Sequence, residues 1–128
     1  MLWAIPRKRK NMADAKILVV DDNDMVRSVA QQMLVALGYE AAVVDSGERA
    51  LEEFSESRFD LILLDLDMPD MSGTQVYNAL RVQAPDLKIV FMTGHSVREV
   101  QGMDYAAYLS KPFTLAAIRE TIEGALAA

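Results

Sequence analysis

A chain of 128 residues, 52% hydrophobic and 25% charged, suits one domain able to bury roughly two-thirds of its unfolded surface, so no second catalytic or DNA-binding domain is expected. With no cysteine, a disulfide framework, a thiolate metal site and a thiol nucleophile are excluded. The net charge of −6 divides unevenly: residues 1–13 hold Arg7, Lys8, Arg9 and Lys10 and no acid, read as a flexible basic tail or linker, whereas the domain expected over 14–128 carries nine basic and nineteen acidic side chains. No apolar stretch approaches the roughly 20 residues of a bilayer span, so membrane insertion is not expected and the cytoplasm is the default location.

From residue 16 onward, strand and helix patterns alternate. Residues 16–20 read as a strand, and Val26, Val29, Ala30, Met33 and Leu37 then recur at helical spacing up to Gly38. A second strand is expected at Ala41–Val44, and a helix from Ser46 to Ser57 with Ala50, Leu51 and Phe54 on one face. The third strand covers 60–64; the next helix runs from Gly73 to Ala84, with Val76, Leu80 and Ala84 inward and Pro85 as its stop. A fourth strand is expected at 88–92, a short helix near Val97–Gln101, and a small fifth strand at Ala106–Leu109. The last helix has Thr114 as N-cap and Leu115, Ile118, Ile122 and Leu126 facing inward. Five strand-helix units with short connections imply an α/β fold: a five-stranded, doubly wound parallel sheet with helices on both faces.

Such sheets bind ligands beyond the carboxyl ends of their strands, where the strand order reverses. At that edge this chain places Asp21-Asp22, Asp65, Thr93 and Lys111, each after an apolar run. Three clustered carboxylates repel and shift toward protonation unless a cation neutralises them. A hard, oxygen-seeking ion that keeps several waters fits best, which points to Mg²⁺. The same constellation suits phosphoryl chemistry. Asp65 would attack in line as nucleophile, Lys111 would offset charge on the transferring group, and Thr93 would donate its hydroxyl to an oxygen, leaving an aspartyl phosphate. Each residue also has a structural reading: Asp21, Asp22 and Asp24 precede a helix they could cap, Asp65 could form a turn with Asp67, and Lys111 could be a solvated charge. Their joint placement on one edge favours a shared site.

Over residues 16–127 the chain resembles the receiver domain of two-component response regulators, CheY-like modules of flavodoxin-like fold. The matching pieces are Val20-Asp21-Asp22, the segment from Asp60 through Asp65, Asp67 and Pro69 to Gly73, Thr93-Gly94, and Tyr108-Leu109-Ser110-Lys111-Pro112-Phe113. In that family the acid four residues before the proline accepts the phosphoryl group, which selects Asp65 over Asp67. The resemblance implies Mg²⁺ held by the side chains of Asp22 and Asp65 and the backbone carbonyl of Asp67, with Asp21 acting through water. It implies a switch in which Thr93 moves toward the phosphoryl oxygen and Tyr108 turns in from solvent, remodelling the face formed by the fourth helix, fifth strand and last helix. It also implies a cis peptide at Lys111-Pro112 that aims the ammonium into the site.

The expected function is a phosphoacceptor in a two-component system or phosphorelay, charged by a phosphohistidine on a sensor histidine kinase or a histidine phosphotransfer protein. It would be a switch with slow autodephosphorylation rather than an enzyme. A stand-alone regulator and a receiver excised from a hybrid kinase look alike here. No direct DNA contact is expected, the downstream protein target is not legible, and a dimer is among the outcomes. Only fourteen residues separate Thr93 from Tyr108, fewer than in typical members, so the fourth helix should be short or irregular. Asp67 and His95 would flank the phosphoryl group and tune its hydrolysis. Two other classes stay open: a phosphohydrolase of the haloacid dehalogenase type, because Asp65-Leu66-Asp67 mimics its DxD motif, and a degenerate receiver acting as a constitutive interaction module.

Overall fold

The computed structural model describes residues 14–56, 59–69, 71–94 and 102–127. The basic segment 1–13, His95 and the short helix expected near Val97–Gln101 therefore lie outside the described residues. Within them the order is β1 (Lys16–Val20), α1 (Asp24–Ala36), β2 (Glu40–Val44), α2 (Gly47–Glu56), β3 (Leu61–Asp65), α3 (Gly73–Gln83), β4 (Lys88–Thr93), β5 (Ala107–Ser110) and α4 (Leu115–Ala127). All five strands pair in parallel in the order β2-β1-β3-β4-β5.

The strand sequences build this sheet because their apolar runs are buried on both faces, as a helix-covered parallel sheet requires. Side-chain alternation divides them. Leu18, Val20, Ile62, Leu64, Ile89 and Phe91 join Ala50 of α2 and Val76, Tyr77 and Leu80 of α3 in one core. Ile17, Val19, Leu61, Leu63, Val90 and Met92 join Ala30 and Leu34 of α1 and Ile118, Ile122 and Ala125 of α4 in the other. Each fully buried Leu, Ile or Phe contributes about 1.5–3 kcal/mol to folding. This double-sided core is the rigid frame behind the carboxyl edge.

Helix ends follow their chemistry. Ser72 opens α3 with a capping box shared with Gln75. Thr114 caps α4, its hydroxyl accepting from the Ala117 amide at 3.0 Å. Leu115, expected inward, is 45% exposed, and Val29, one of the apolar residues at helical spacing in α1, is 39% exposed, while the buried positions of α1 are Ala30 and Leu34. Spacing identifies the apolar side of a helix, but not the centre of the buried stripe or how far along the helix it extends. Ala84 is likewise the C-cap of α3 and only half-buried. The fifth strand starts one residue later than its expected position, at Ala107, and Asp65 and Thr93 are the last residues of β3 and β4 rather than the first beyond them.

Candidate functional site

β1 lies between β2 and β3, so the strand order reverses beside it. The crevice at that point receives Asp21 and Asp22 from the end of β1 and Asp65 from β3, and the three offer carboxylate oxygens within 4.8 Å of one another. Asp21 and Asp65 are buried, whereas Asp22 is exposed. Capping does not explain this cluster. The N-cap of α1 is Asn23, whose side chain accepts from the Val26 amide at 3.0 Å. Asp21 instead uses Oδ1 to accept from the Asn23 amide at 2.9 Å, leaving Oδ2 aimed into the site.

Lys111 follows β5 and crosses the edge to reach both buried acids. Its Nζ stands 2.7 Å from Asp21 Oδ2 and 3.0 Å from Asp65 Oδ1. The Lys111 backbone is held as well, its amide donating to the Thr93 carbonyl at 2.9 Å, and Lys111-Pro112 is a cis peptide. Asp21 Oδ2 nevertheless receives no aligned hydrogen bond despite the nearby ammonium. A buried carboxylate oxygen in that condition suits a cation, which needs charge but no donor geometry. One ammonium also offsets only one of three negative charges. The donor set, all oxygen, fits a hard divalent ion.

Electrostatics divides the two partners. Burial raises the Asp65 pKa, and the Asp21 carboxylate raises it further, against the opposing pull of the Asp67 amide and Lys111. For Lys111, burial favours loss of the proton, but the carboxylates of Asp21 and Asp65 outweigh it and hold the ammonium above its ordinary range.

Thr93 is wholly buried at the end of β4 and donates to Asp67 Oδ2 at 3.0 Å. The Asp67 amide donates to Asp65 Oδ1, also at 3.0 Å. Tyr108 of β5 is half-buried, with its hydroxyl accepting from Ser110 Oγ at 3.2 Å. The predicted Asp21, Asp22, Asp65 and Lys111 thus converge, Thr93 joins them through Asp67, and Tyr108 sits on the flanking strand. Sequence reading missed two supports. Arg27 donates to the Asp21 carbonyl at 2.8 Å and pairs with Asp24, fixing the loop that bears the acids; an Arg three residues after an Asp in a helix is its only sequence signal. At Gly73 an added Cβ would lie 2.7 Å from the Asp65 carbonyl oxygen, so only glycine lets α3 approach the end of β3 this closely.

A doubly wound domain with an acidic, lysine-capped crevice at its switch point belongs to the phosphoryl-accepting signalling modules. More particularly, the chain belongs to the response regulator receiver domain family, whose model matches residues 17–123. The transcriptional regulatory protein ZraR of Escherichia coli strain K12 is 36% identical over 115 residues, which cover 87% of this chain and 26% of ZraR. The chain thus spans about a quarter of the length of the curated relatives it matches. Among solved structures, response regulator TrrA from Thermotoga maritima in complex with Mg²⁺-BeF is similar at a TM-score of 0.81 and 32% identity, covering 88% of this chain and 99% of that one. The receiver domain of sensor histidine kinase PA1611 from Pseudomonas aeruginosa PAO1, with magnesium coordinated in its active site cleft, gives a TM-score of 0.82 at 26% identity, covering 90% and 99%. Receiver domains interact with histidine kinases and with downstream targets. Among the described residues, no helix is long and apolar enough to cross a membrane.

Proposed function

We propose that Asp65 is the phosphoacceptor and that it takes its phosphoryl group from a phosphohistidine on a sensor histidine kinase or a histidine phosphotransfer protein. The observation that carries this is the position of Lys111, 2.7 Å from Asp21 and 3.0 Å from Asp65 across the switch-point crevice. Lys111 and the Asp67 amide both engage Oδ1 of Asp65, which leaves Oδ2 to attack phosphorus. The new O–P bond forms in line as the donor's P–N bond breaks, and the imidazole departs with the electron pair and is reprotonated. Lys111 then balances charge on the transferred group, and Thr93 gives its hydroxyl to one of its oxygens. Asp22 and Asp65 through side chains, Asp67 through its carbonyl and Asp21 through water would hold Mg²⁺, which when bound would supply positive charge to offset that of the anionic oxygens in the site. Thr93 and Tyr108 carry the change to the surface.

We infer that the donor protein docks on the apolar surface next to Lys111. Beside Lys111 lies a groove of about 370 Å³ lined by Met25, Val26 and Val29 of α1 together with Pro112 and Phe113. Met25 is 74% exposed there, unusual for an apolar side chain next to a charged site. The chain acts in the cytoplasm as a switch that slowly hydrolyses its own acyl phosphate, not as a turnover enzyme, and it makes no DNA contact of its own.

Phosphotransfer profiling against candidate kinases with Mg²⁺ tests this. Label should appear on the wild type and not on Asp65→Ala. Val29→Asp should slow transfer from the kinase while leaving phosphorylation by a small-molecule phosphodonor intact. Label retained by Asp65→Ala, or turnover of a generic phosphomonoester by the wild type, would overturn the assignment.

A further inference from the structure

The hydroxyl that is to recognise the phosphoryl group is already engaged. Thr93 Oγ1, wholly buried, donates to Oδ2 of Asp67 at 3.0 Å. Asp67 thereby touches the site at both ends, since its amide steadies Asp65 Oδ1 and its exposed side chain reaches over to β4. A threonine hydroxyl carries one proton, so it cannot donate to the Asp67 carboxylate and to a phosphoryl oxygen together.

We propose that Asp67 is a positioning residue that holds the Thr93 hydroxyl in the resting form and must release it before the phosphoryl group can take it, so that this side chain sets the balance between resting and switched forms. The inference rests on the role assigned to Thr93 above. An interaction made in only one of two forms biases the equilibrium toward that form by its own free energy, and any ligand of the other form must work against it. The bond to a charged acceptor is stronger than a neutral one. Asn at this position keeps an acceptor oxygen without the charge, and Ala keeps neither. Both leave the backbone amide and carbonyl in place.

A carboxylate this close to an incoming anion could also repel it directly, and the two effects separate cleanly. Repulsion acts whether or not residue 93 bears a hydroxyl; the latch needs that hydroxyl. Beryllofluoride with saturating Mg²⁺ is titrated into the wild type, Asp67→Asn, Asp67→Ala, Thr93→Val and the Asp67→Ala/Thr93→Val double variant, and the Thr93 methyl and amide resonances are followed in the metal-free proteins. Asp67→Ala should bind the probe about three- to tenfold more tightly, less than the usual worth of a hydrogen bond to a charged group because Asp67 is exposed. Asp67→Asn should fall between it and the wild type. In the Thr93→Val background the gain should shrink below about twofold, as the double-mutant logic demands. In metal-free Asp67→Ala, the Thr93 resonances should move toward their positions in the wild-type beryllofluoride complex. Equal tightening in both backgrounds, no tightening, or unmoved Thr93 resonances would each overturn the latch. A wild type that binds no beryllofluoride would overturn the function itself and the latch with it, whereas binding without coupling between residues 67 and 93 overturns the latch alone.

Discussion

Asp65 and Lys111 show how one contact can weigh oppositely on its two members. Burial and the Asp21 carboxylate raise the Asp65 pKa, so ionised Asp65 is a cost to the fold. As pH falls through its raised value, the folded chain takes up this proton before the unfolded chain does, and Asp65 by itself favours folding on acidification. Asp65→Asn keeps the shape and removes the charge. It should therefore stabilise the metal-free protein, by on the order of 1 kcal/mol, the usual size of a point-substitution effect but opposite in sign. The same change removes one of the carboxylates proposed to hold Mg²⁺. In the wild type, Mg²⁺ at a hundred times its dissociation constant should add about 2.7 kcal/mol by mass action, and Asp65→Asn should forfeit most of it. Thermal unfolding of both proteins with and without Mg²⁺ decides the matter: equal stabilisation of the two by the ion would place the metal elsewhere.

At the scale of elements, the contact between α3 and β3 governs where Asp65, the proposed phosphoacceptor, sits. A Cβ on Gly73 would stand 2.7 Å from the Asp65 carbonyl oxygen and 2.8 Å from Leu66 Cα, both backbone atoms that cannot swing aside. Gly73→Ala should cost about 1–3 kcal/mol, as overpacking does, and should slow phosphorylation of Asp65 more than the loss of folded protein explains; denaturant unfolding and phosphorylation by a small-molecule donor measure the two. Unchanged stability and an unchanged phosphorylation rate would show that the close approach is unimportant. The elements themselves were largely legible, because β1, β3 and β4 are built on apolar runs and Pro85 and Thr114 punctuate the helices, whereas the Ser72 cap of α3 emerged only from the structure. The misreadings have a common cause. Val29 and Leu115 share their helices' apolar periodicity, yet burial depends on the extent of the sheet beneath them, which no local pattern carries.

Across the whole molecule, the acids and Lys111 could be read from the sequence because strand ends in a parallel sheet share one edge, whereas the Thr93 bond to Asp67 could not, since it joins residues 26 apart whose side-chain directions depend on the finished edge. That edge also ties distant strands together: Lys111, beyond the outer strand β5, grips acids delivered by β1 and β3, neither of which pairs with β5. The consequence is an alkaline limit to stability. The two carboxylates hold the Lys111 ammonium above its ordinary value of 10.5, so its stabilisation is complete below that value and is lost as pH rises through the raised one. Tyr39 works in the same direction from the far face. Its pKa is raised above 10.0 by burial and by Glu123, so the unfolded chain sheds that proton first and stability falls as pH climbs past 10.0. Denaturation midpoints followed from neutral pH to about 11 should decline most steeply in the wild type. Tyr39→Phe should flatten one share of the decline and Lys111→Met the other, the second variant starting from a lower midpoint because it leaves Asp21 and Asp65 uncompensated. If Lys111→Met declined in parallel with the wild type throughout, the ammonium would not be the clamp that closes the carboxyl edge.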